Sequence, residues 1–473
     1  MLPPPKPLRA TDVAAALRSD DLKTHVLPLP RGRLNIVYLG SLVDKKRLWS
    51  QFEEPLVTKG ALFDLPGSKR LDTLDKVLKH LLLGWAVALS GAGVPVGLPL
   101  MGLQQRQVAE PTTEKEVIGP KEALVEDLET SIGLVRNRLR DSALRVSIFV
   151  VGRRSQTQVA LVHLEGVASR EIVAKAASGL RSLDVDFVRN AGEVAELLYG
   201  RSLTVFPLVE QTERSDRIAD GLALGRVGLI VEGSPFALLV PATFMEFLKD
   251  QESALPGPAI SLYVRTLRLG GLVLSAAMPG IYVAVLSSDP QILPLPLALT
   301  LTTVRFGVPY PVATEAIIML LLVDILAEAT SQAAGSVGNT LAIVGTLIIG
   351  QMMVQAHLAS SLLMIVVSAS VLGTYLTIKF PFSYGLRIWK YLLVVLAAVA
   401  GVGGWFTGFL LLLVHLASLK SAGVPYLSPL GPMRPYDLAH YALVQPTRGN
   451  ETLRPRMFRP EQRVRQGRRG RKR

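Results

Sequence analysis

The sequence contains no cysteine. That excludes a disulfide framework, a thiolate nucleophile and any cysteine-ligated zinc or iron–sulfur centre. Charge is scarce as well. Only 19% of the 473 residues are Asp, Glu, Lys or Arg, against about 25% in an ordinary soluble domain. The histidines, at 25, 80, 163, 357, 415 and 440, show no metal-ligand spacing. Enzymatic motifs are missing too. There is no Gly-x-x-x-x-Gly-Lys loop, no Gly-x-Ser-x-Gly elbow and no His-Glu-x-x-His pair. Gly221, Gly225 and Gly228 precede an apolar run instead of following a strand and opening a helix, which speaks against a dinucleotide site. The expectation is a protein that is not an enzyme and has no cofactor and no metal.

What is abundant is apolar surface, 49% of the chain. It is unevenly placed. Before Pro256, charges of both signs recur every few residues. From Leu269 to Leu419 they thin to a handful. Five stretches there approach the roughly 20 apolar residues that a membrane span needs: Leu269–Ser288, Pro311–Ala327, Thr340–His357, Ser361–Ile378 and Tyr391–Ala417. Gln291–Val304 is shorter, carries Pro294 and Pro296, and suits a re-entrant or interfacial piece. Leu81–Leu103 is uncharged, but its five glycines and two prolines favour two strands around a Gly-rich turn over a span.

The net charge of +13 gathers at one end, where residues 448–473 hold ten Arg and one Lys against two Glu. This tail is expected on the cytosolic side, either lying on anionic lipid or acting only as a topology signal. Phe458 is its one aromatic residue, a poor platform for nucleic acid, so no nucleic-acid partner is expected. The N-terminus lacks the apolar core of a signal peptide, which places the first half on the cytosolic side as well. Two ends on one side demand an even number of crossings. Five candidate spans conflict with that, as does a cytosolic loop carrying Lys379, Arg387 and Lys390.

The first half alternates short strands and helices. Leu34–Leu42, Leu144–Val151, Gln158–Leu164, Leu203–Leu208, Val227–Val231 and Phe236–Val240 read as strands; Glu122–Leu139 and Ala168–Leu180 read as helices. The expected fold is an α/β N-terminal region of two subdomains, followed by an all-α polytopic domain. The boundaries are 1–29 for a flexible N-terminus, 30–115 and 116–257 for the subdomains, 258–430 for the membrane domain and 431–473 for the basic tail.

Three stretches then resemble one family, the A subunits of spore germination receptors (the GerA family). The first is Glu110-Pro111, then Gly119-Pro120 and a helix closing on Arg136 and Arg138. The second is Gly225-Arg226 through Glu232-Gly233-Ser234-Pro235, a strand–turn–strand. The third runs from Arg265 and Arg268 through Pro279 and Tyr282 to Arg305, Pro309 and Pro311, and on through Pro425-Tyr426 to Pro429. Ile118, Phe306 and Ala327 depart from the family pattern. The resemblance implies a multi-pass subunit in the inner membrane of the bacterial spore, both termini on the core side. It implies membrane-embedded B and lipoprotein C subunits as partners, a homo-oligomer, expected to be a pentamer, and a ligand-gated ion channel that releases cations. Alternatives are a paralogue that amplifies germination beside dipicolinic acid release, and a non-conducting scaffold.

Intramembrane polar residues are the candidate site. Asp324, Glu328, Ser331 and Gln332 share one helical face, and Glu315 lies on the opposite one. Such groups cost about 2.5–3.5 kcal/mol each at a span's centre and usually face a cavity or a partner. They read as an ion path or subunit contact; the alternative puts Glu328 at the membrane edge and pairs Glu315 with Arg305. Gln351 and Gln355 read as facing the same interior or as interhelical hydrogen-bond partners. Gly404 and Gly408 form a small-xxx-small pattern for close packing, and Gly401 and Gly403 could instead mark a hinge.

Overall fold

The computed structural model describes residues 8–29, 32–54, 67–90, 94–102, 111, 113–114, 120–200, 204–248, 258–332, 345, 348, 350–376, 380–442 and 454–461. Helix α1 (Ala10–Leu17) and strands β1 (Leu22–Leu29) and β2 (Gly32–Leu39) open the first layer, followed by β3 (Lys69–Arg70), α2 (Leu74–Leu81), β4 (Trp85–Ser90) and β5 (Val96–Pro99). The five strands form one sheet in the order β1-β2-β4-β5-β3. The β4–β5 pair is the antiparallel couple read from Leu81–Leu103. The flexible N-terminus expected over 1–29 is corrected from residue 8 onward: Val13 and Leu17 are fully buried and β1 pairs with β2 along its whole length. Their apolar side chains close one face of the sheet against α2.

The second sheet is built from α3 (Leu128–Arg138), β6 (Leu144–Val151), β7 (Thr157–Leu164), α4 (Arg170–Ser182), α5 (Ala191–Tyr199), β8 (Glu210–Thr212), α6 (Ser215–Ala223), β9 (Val227–Val231) and β10 (Ala237–Val240). Its strand order is β6-β7-β9-β10-β8. Helices α4 and α5 cover one face and α3 and α6 the other, so the middle strands are buried on both sides. This is why β9 and β10 read as unbroken apolar runs.

Two readings shift. The helix expected over Glu122–Leu139 begins only at Leu128, because the Asp127 carboxylate caps it by accepting from Thr130 N. The preceding segment is extended instead, with Leu124 N donating to Glu213 O. The described part of the expected strand Leu203–Leu208 is irregular; Phe206 leaves the sheet to pack on Phe382, with ring centroids 5.4 Å apart.

The second half is helical: α7 (Phe244–Leu248), α8 (Pro258–Ser287), α9 (Leu295–Val304), α10 (Val312–Gln332), α11 (Ser361–Leu376), α12 (Phe380–Ser418) and, after the short strands β11 (Lys420–Ser421) and β12 (Val424–Pro425), α13 (Pro435–Ala442). Residues 350–355 are also helical. Among the described residues, two helices have the length and apolar composition to cross a membrane, Leu262–Ser287 and Phe382–Ser418.

The second of these is not one rod. Ala400 and Gly401 leave helical geometry, and a Cβ on Gly408 would lie 2.8 Å from Leu396 and 2.9 Å from Leu393. In a continuous helix residues 393 and 408 would stand about 22 Å apart. The chain therefore reverses at Gly401, whose positive φ suits glycine. The Asp289 carboxylate accepts from Val402 N at 2.9 Å and starts the returning arm. The expected single span Tyr391–Ala417 is corrected to two arms of a hairpin. Gly404 and Gly408 let the arms touch, and Gly401 makes the turn.

Candidate functional site

Arg226 anchors the junction between head and bundle. It sits at the mouth of β9 and is 2% exposed. Its Nη1 donates to Glu210 Oε2 at 2.6 Å and to Glu246 Oε2 at 3.4 Å, and its Nε and Nη2 donate to the carbonyls of Pro241 and Leu239. Glu246 belongs to α7, so one guanidinium ties the sheet to the helix that leads into the bundle. Arg217 Nη1 reaches Glu210 from the other side at 3.2 Å. The ring of Phe458 covers the Arg226 guanidinium with 5.5 Å between centroid and Cζ. Around it the C-terminal segment docks on the head: Met457 and Phe458 are buried beside Leu224, and Glu461 N donates to Val167 O. The basic tail expected over 431–473 is thus folded against the head at 454–461.

The other family-motif residues are chiefly structural. Arg136 is fully buried and donates twice to Asp21, at 2.6 and 2.7 Å, joining the two sheets. Burial pushes the Asp21 carboxyl up, but Arg136, with the Ser19 and Ser41 hydroxyls, outweighs it and holds the group below its ordinary range. Arg138 pairs with Glu122 at 2.6 Å. Gly225 and Gly233 have positive φ. Glu232, Gly233, Ser234 and Pro235 form the turn between β9 and β10, with Glu232 accepting from Gln158 N. Pro111 is buried and Pro120 half-buried; Glu110 and Gly119 lie outside the described residues. Tyr426 is fully buried, its carbonyl accepts from Phe244 N, and burial pushes its hydroxyl well up. Pro425 is half-buried in β12.

At the bundle's far end Glu315, 1% exposed, accepts from Ser360 N at 2.6 Å and from Arg305 Nη2 at 3.2 Å. Tyr282 reaches the same point through Ser360 Oγ at 3.1 Å. This node joins α8, α9, α10 and α11, and it matches the Arg305 pairing weighed from the sequence. Pro279 is buried within α8 and Arg268 half-buried, while Pro309 and Pro311 are exposed.

Midway along the bundle, Asp324 is half-buried. Its Oδ2 accepts from the Tyr391 hydroxyl at 2.7 Å and its Oδ1 lies 3.8 Å from Arg387 Nε. The sequence reads Arg387 and Lys390 as part of a charged loop and Tyr391 as the start of a span; the fold places all three on the outgoing arm of α12. Arg387 and Lys390, with residues of α10 and α11, line a cavity of about 340 Å³. Glu328 and Gln332 are on the outward face, where Glu328 accepts from Gln332 Nε2 at 3.0 Å. Gln351 and Gln355 are exposed and do not turn inward. His415 Nε2 lies 3.0 Å from Thr204 Oγ1, a hydrogen-bonded junction residue. Among the described residues no cluster of three or more acidic or histidine side chains is arranged to hold a metal ion.

The model of the Bacillus/Clostridium GerA spore germination protein family matches residues 14–457. The chain is 30% identical over 448 residues to spore germination protein KA of Bacillus subtilis (strain 168), covering 92% of this chain and 82% of that one. It is 29% identical over 423 residues to spore germination protein A1 of the same strain, covering 87% and 88%. A crystal structure of the N-terminal domain of the A subunit of the Bacillus megaterium spore germinant receptor GerK3 aligns with 50% of this chain and 93% of its own, at 22% identity and a TM-score of 0.38.

Proposed function

The chain belongs to the GerA family of spore germination proteins, and from that premise we propose that it is the A-type subunit of a germinant receptor. In this reading it spans the inner membrane of the spore, works with B and C subunits, and assembles with its own copies around a cation path. The domain limits 258–430 then enclose the membrane part, with both termini on the core side.

Several features support it. Each arm of the α12 hairpin runs roughly 25–28 Å at 1.5 Å per residue, close to the ~30 Å hydrocarbon core. The hairpin adds the crossing that makes an even count possible. The observation that carries the assembly is Glu328. It stands on an outward helix face with Leu321 and Ile325, which are 52% and 56% exposed. Alongside its contacts within the chain, a carboxylate on that apolar face can also meet a neighbouring subunit. Symmetric closure would repeat it as an acidic ring, as in cation-selective pores. The non-conducting scaffold is favoured by a different observation, the capture of Asp324 by Tyr391 and Arg387 within one chain.

Potassium flux through the full chain reconstituted in vesicles separates the readings. The conducting reading expects flux that Asp324→Asn with Glu328→Gln lowers while assembly persists. An assembled protein without flux, or with flux and selectivity unchanged in the double variant, supports the scaffold.

A further inference from the structure

The cavity between α10, α11 and the outgoing arm of α12 is lined mainly by apolar side chains, Val323, Leu326, Met364 and Val371 among them. Three charged groups converge on it, Asp324, Arg387 and Lys390. Lys390 is 3% exposed, and its Nζ lies 3.4 Å from Ser370 Oγ. Among the described residues no carboxylate lies within 4.0 Å of that nitrogen. Asp324, the acidic group of the lining, already accepts from Tyr391 and faces Arg387. Two cations therefore meet one anion, with Lys390 buried among apolar side chains while Arg387 and Asp324 are half-buried, and a buried charge without an opposite one beside it is unfavourable.

We propose that this cavity is a binding site for a small amphiphilic monoanion, a carboxylate with a short apolar body. The negative head would sit against Lys390 and Arg387 and cancel the excess charge. The apolar body would fill the space between α10 and α11. At about 340 Å³ the cavity is at the lower end of the roughly 300–1,000 Å³ of small-molecule pockets. It therefore suits a fragment-sized molecule and not a two-chain lipid. The charge balance rejects a cation of the same shape, and a neutral alcohol leaves the excess charge in place. This site does not depend on whether the assembled protein conducts.

Equilibrium binding of radiolabelled hexanoate to the full chain in detergent tests it. Saturable binding near one per chain is expected, unaffected by excess hexylammonium or hexanol. Lys390→Met keeps the side chain's bulk without its charge and should weaken binding at least tenfold. Val371→Trp fills the cavity with all charges intact and should abolish binding, which covers the case of a misfolded Lys390 variant. Dodecanoate that competes assigns the natural ligand to a membrane-derived fatty acid, and dodecanoate that fails assigns it to a water-soluble carboxylate; both outcomes keep the site. Non-saturable uptake, equal competition by hexylammonium, or full binding by a folded Lys390→Met or Val371→Trp protein overturns the proposal.

Discussion

The ring of Phe458 makes a cation–π contact with the guanidinium of Arg226 at 5.5 Å, although the whole helical bundle separates the two in sequence. The chain leaves the head through α7, traverses the bundle and returns to within van der Waals reach of its starting point. In the proposed reading the head and the C-terminal segment therefore lie on the same side of the membrane.

That fixes a labelling pattern, and the absence of native cysteine makes it easy to read. Ser288 is exposed at the far end and Met433 is 74% exposed at the head end. In membrane vesicles, Met433→Cys should react with an impermeant maleimide from the same side as Arg153→Cys. Ser288→Cys should react only from the other. Labelling of Ser288→Cys and Met433→Cys from one side would break the topology.

Arg226 holds two buried carboxylates, so its removal should be severe. Arg226→Met removes the guanidinium that Glu210 and Glu246 share, a loss of about 3–5 kcal/mol for a buried pair broken on one side. Arg226→Lys keeps the charge but cannot serve two carboxylates and two carbonyls at once, and should fall between. Denaturant unfolding of the full chain, followed by head-domain fluorescence, reads the order.

The Asp21–Arg136 pair predicts a pH dependence. The folded Asp21 carboxyl is held below its ordinary value, so the folded state binds fewer protons there than the unfolded one. The pair's contribution is complete above the unfolded carboxylate range near 3.9 and is lost as pH falls toward the folded value. Asp21→Asn should be clearly less stable than the parent at pH 7. The gap between their melting temperatures should narrow as pH drops from about 5 to about 3. A gap that does not change with pH would remove Asp21 from this role.

Two adjacent glycines on the hairpin should behave oppositely. A Cβ at Gly404 would run into the carbonyl oxygen of Leu396, whereas one at Gly403 meets nothing within 4 Å. Gly404→Leu should cost at least the ~1–3 kcal/mol of overpacking and deplete folded protein in membranes. Gly403→Leu should accumulate normally. Quantitative immunoblotting against a common tag compares them.

The sequence by itself determined the two-part plan. Alternating strands and helices with mixed charge gave the head, and long uncharged runs gave the bundle, because periodicity and composition are local properties. The Gly–Pro turn between β9 and β10 was legible for the same reason. Glu315 with Arg305 was legible too, since both lie close along the chain. Tertiary structure decided what depends on long-range contact. The reversal at Gly401 is hidden inside an unbroken apolar run, and only the touching of Leu393 with Gly408 exposes it. Arg387 and Lys390 look like a cytosolic loop when counted as charges, yet packing turns Arg387 toward Asp324 and Lys390 toward Ser370. Residues 8–29 and 454–461 look like polar extensions. They become structure because buried partners far away in sequence, Arg136 for Asp21 and Arg226 for Phe458, supply the contacts that offset their ordering entropy.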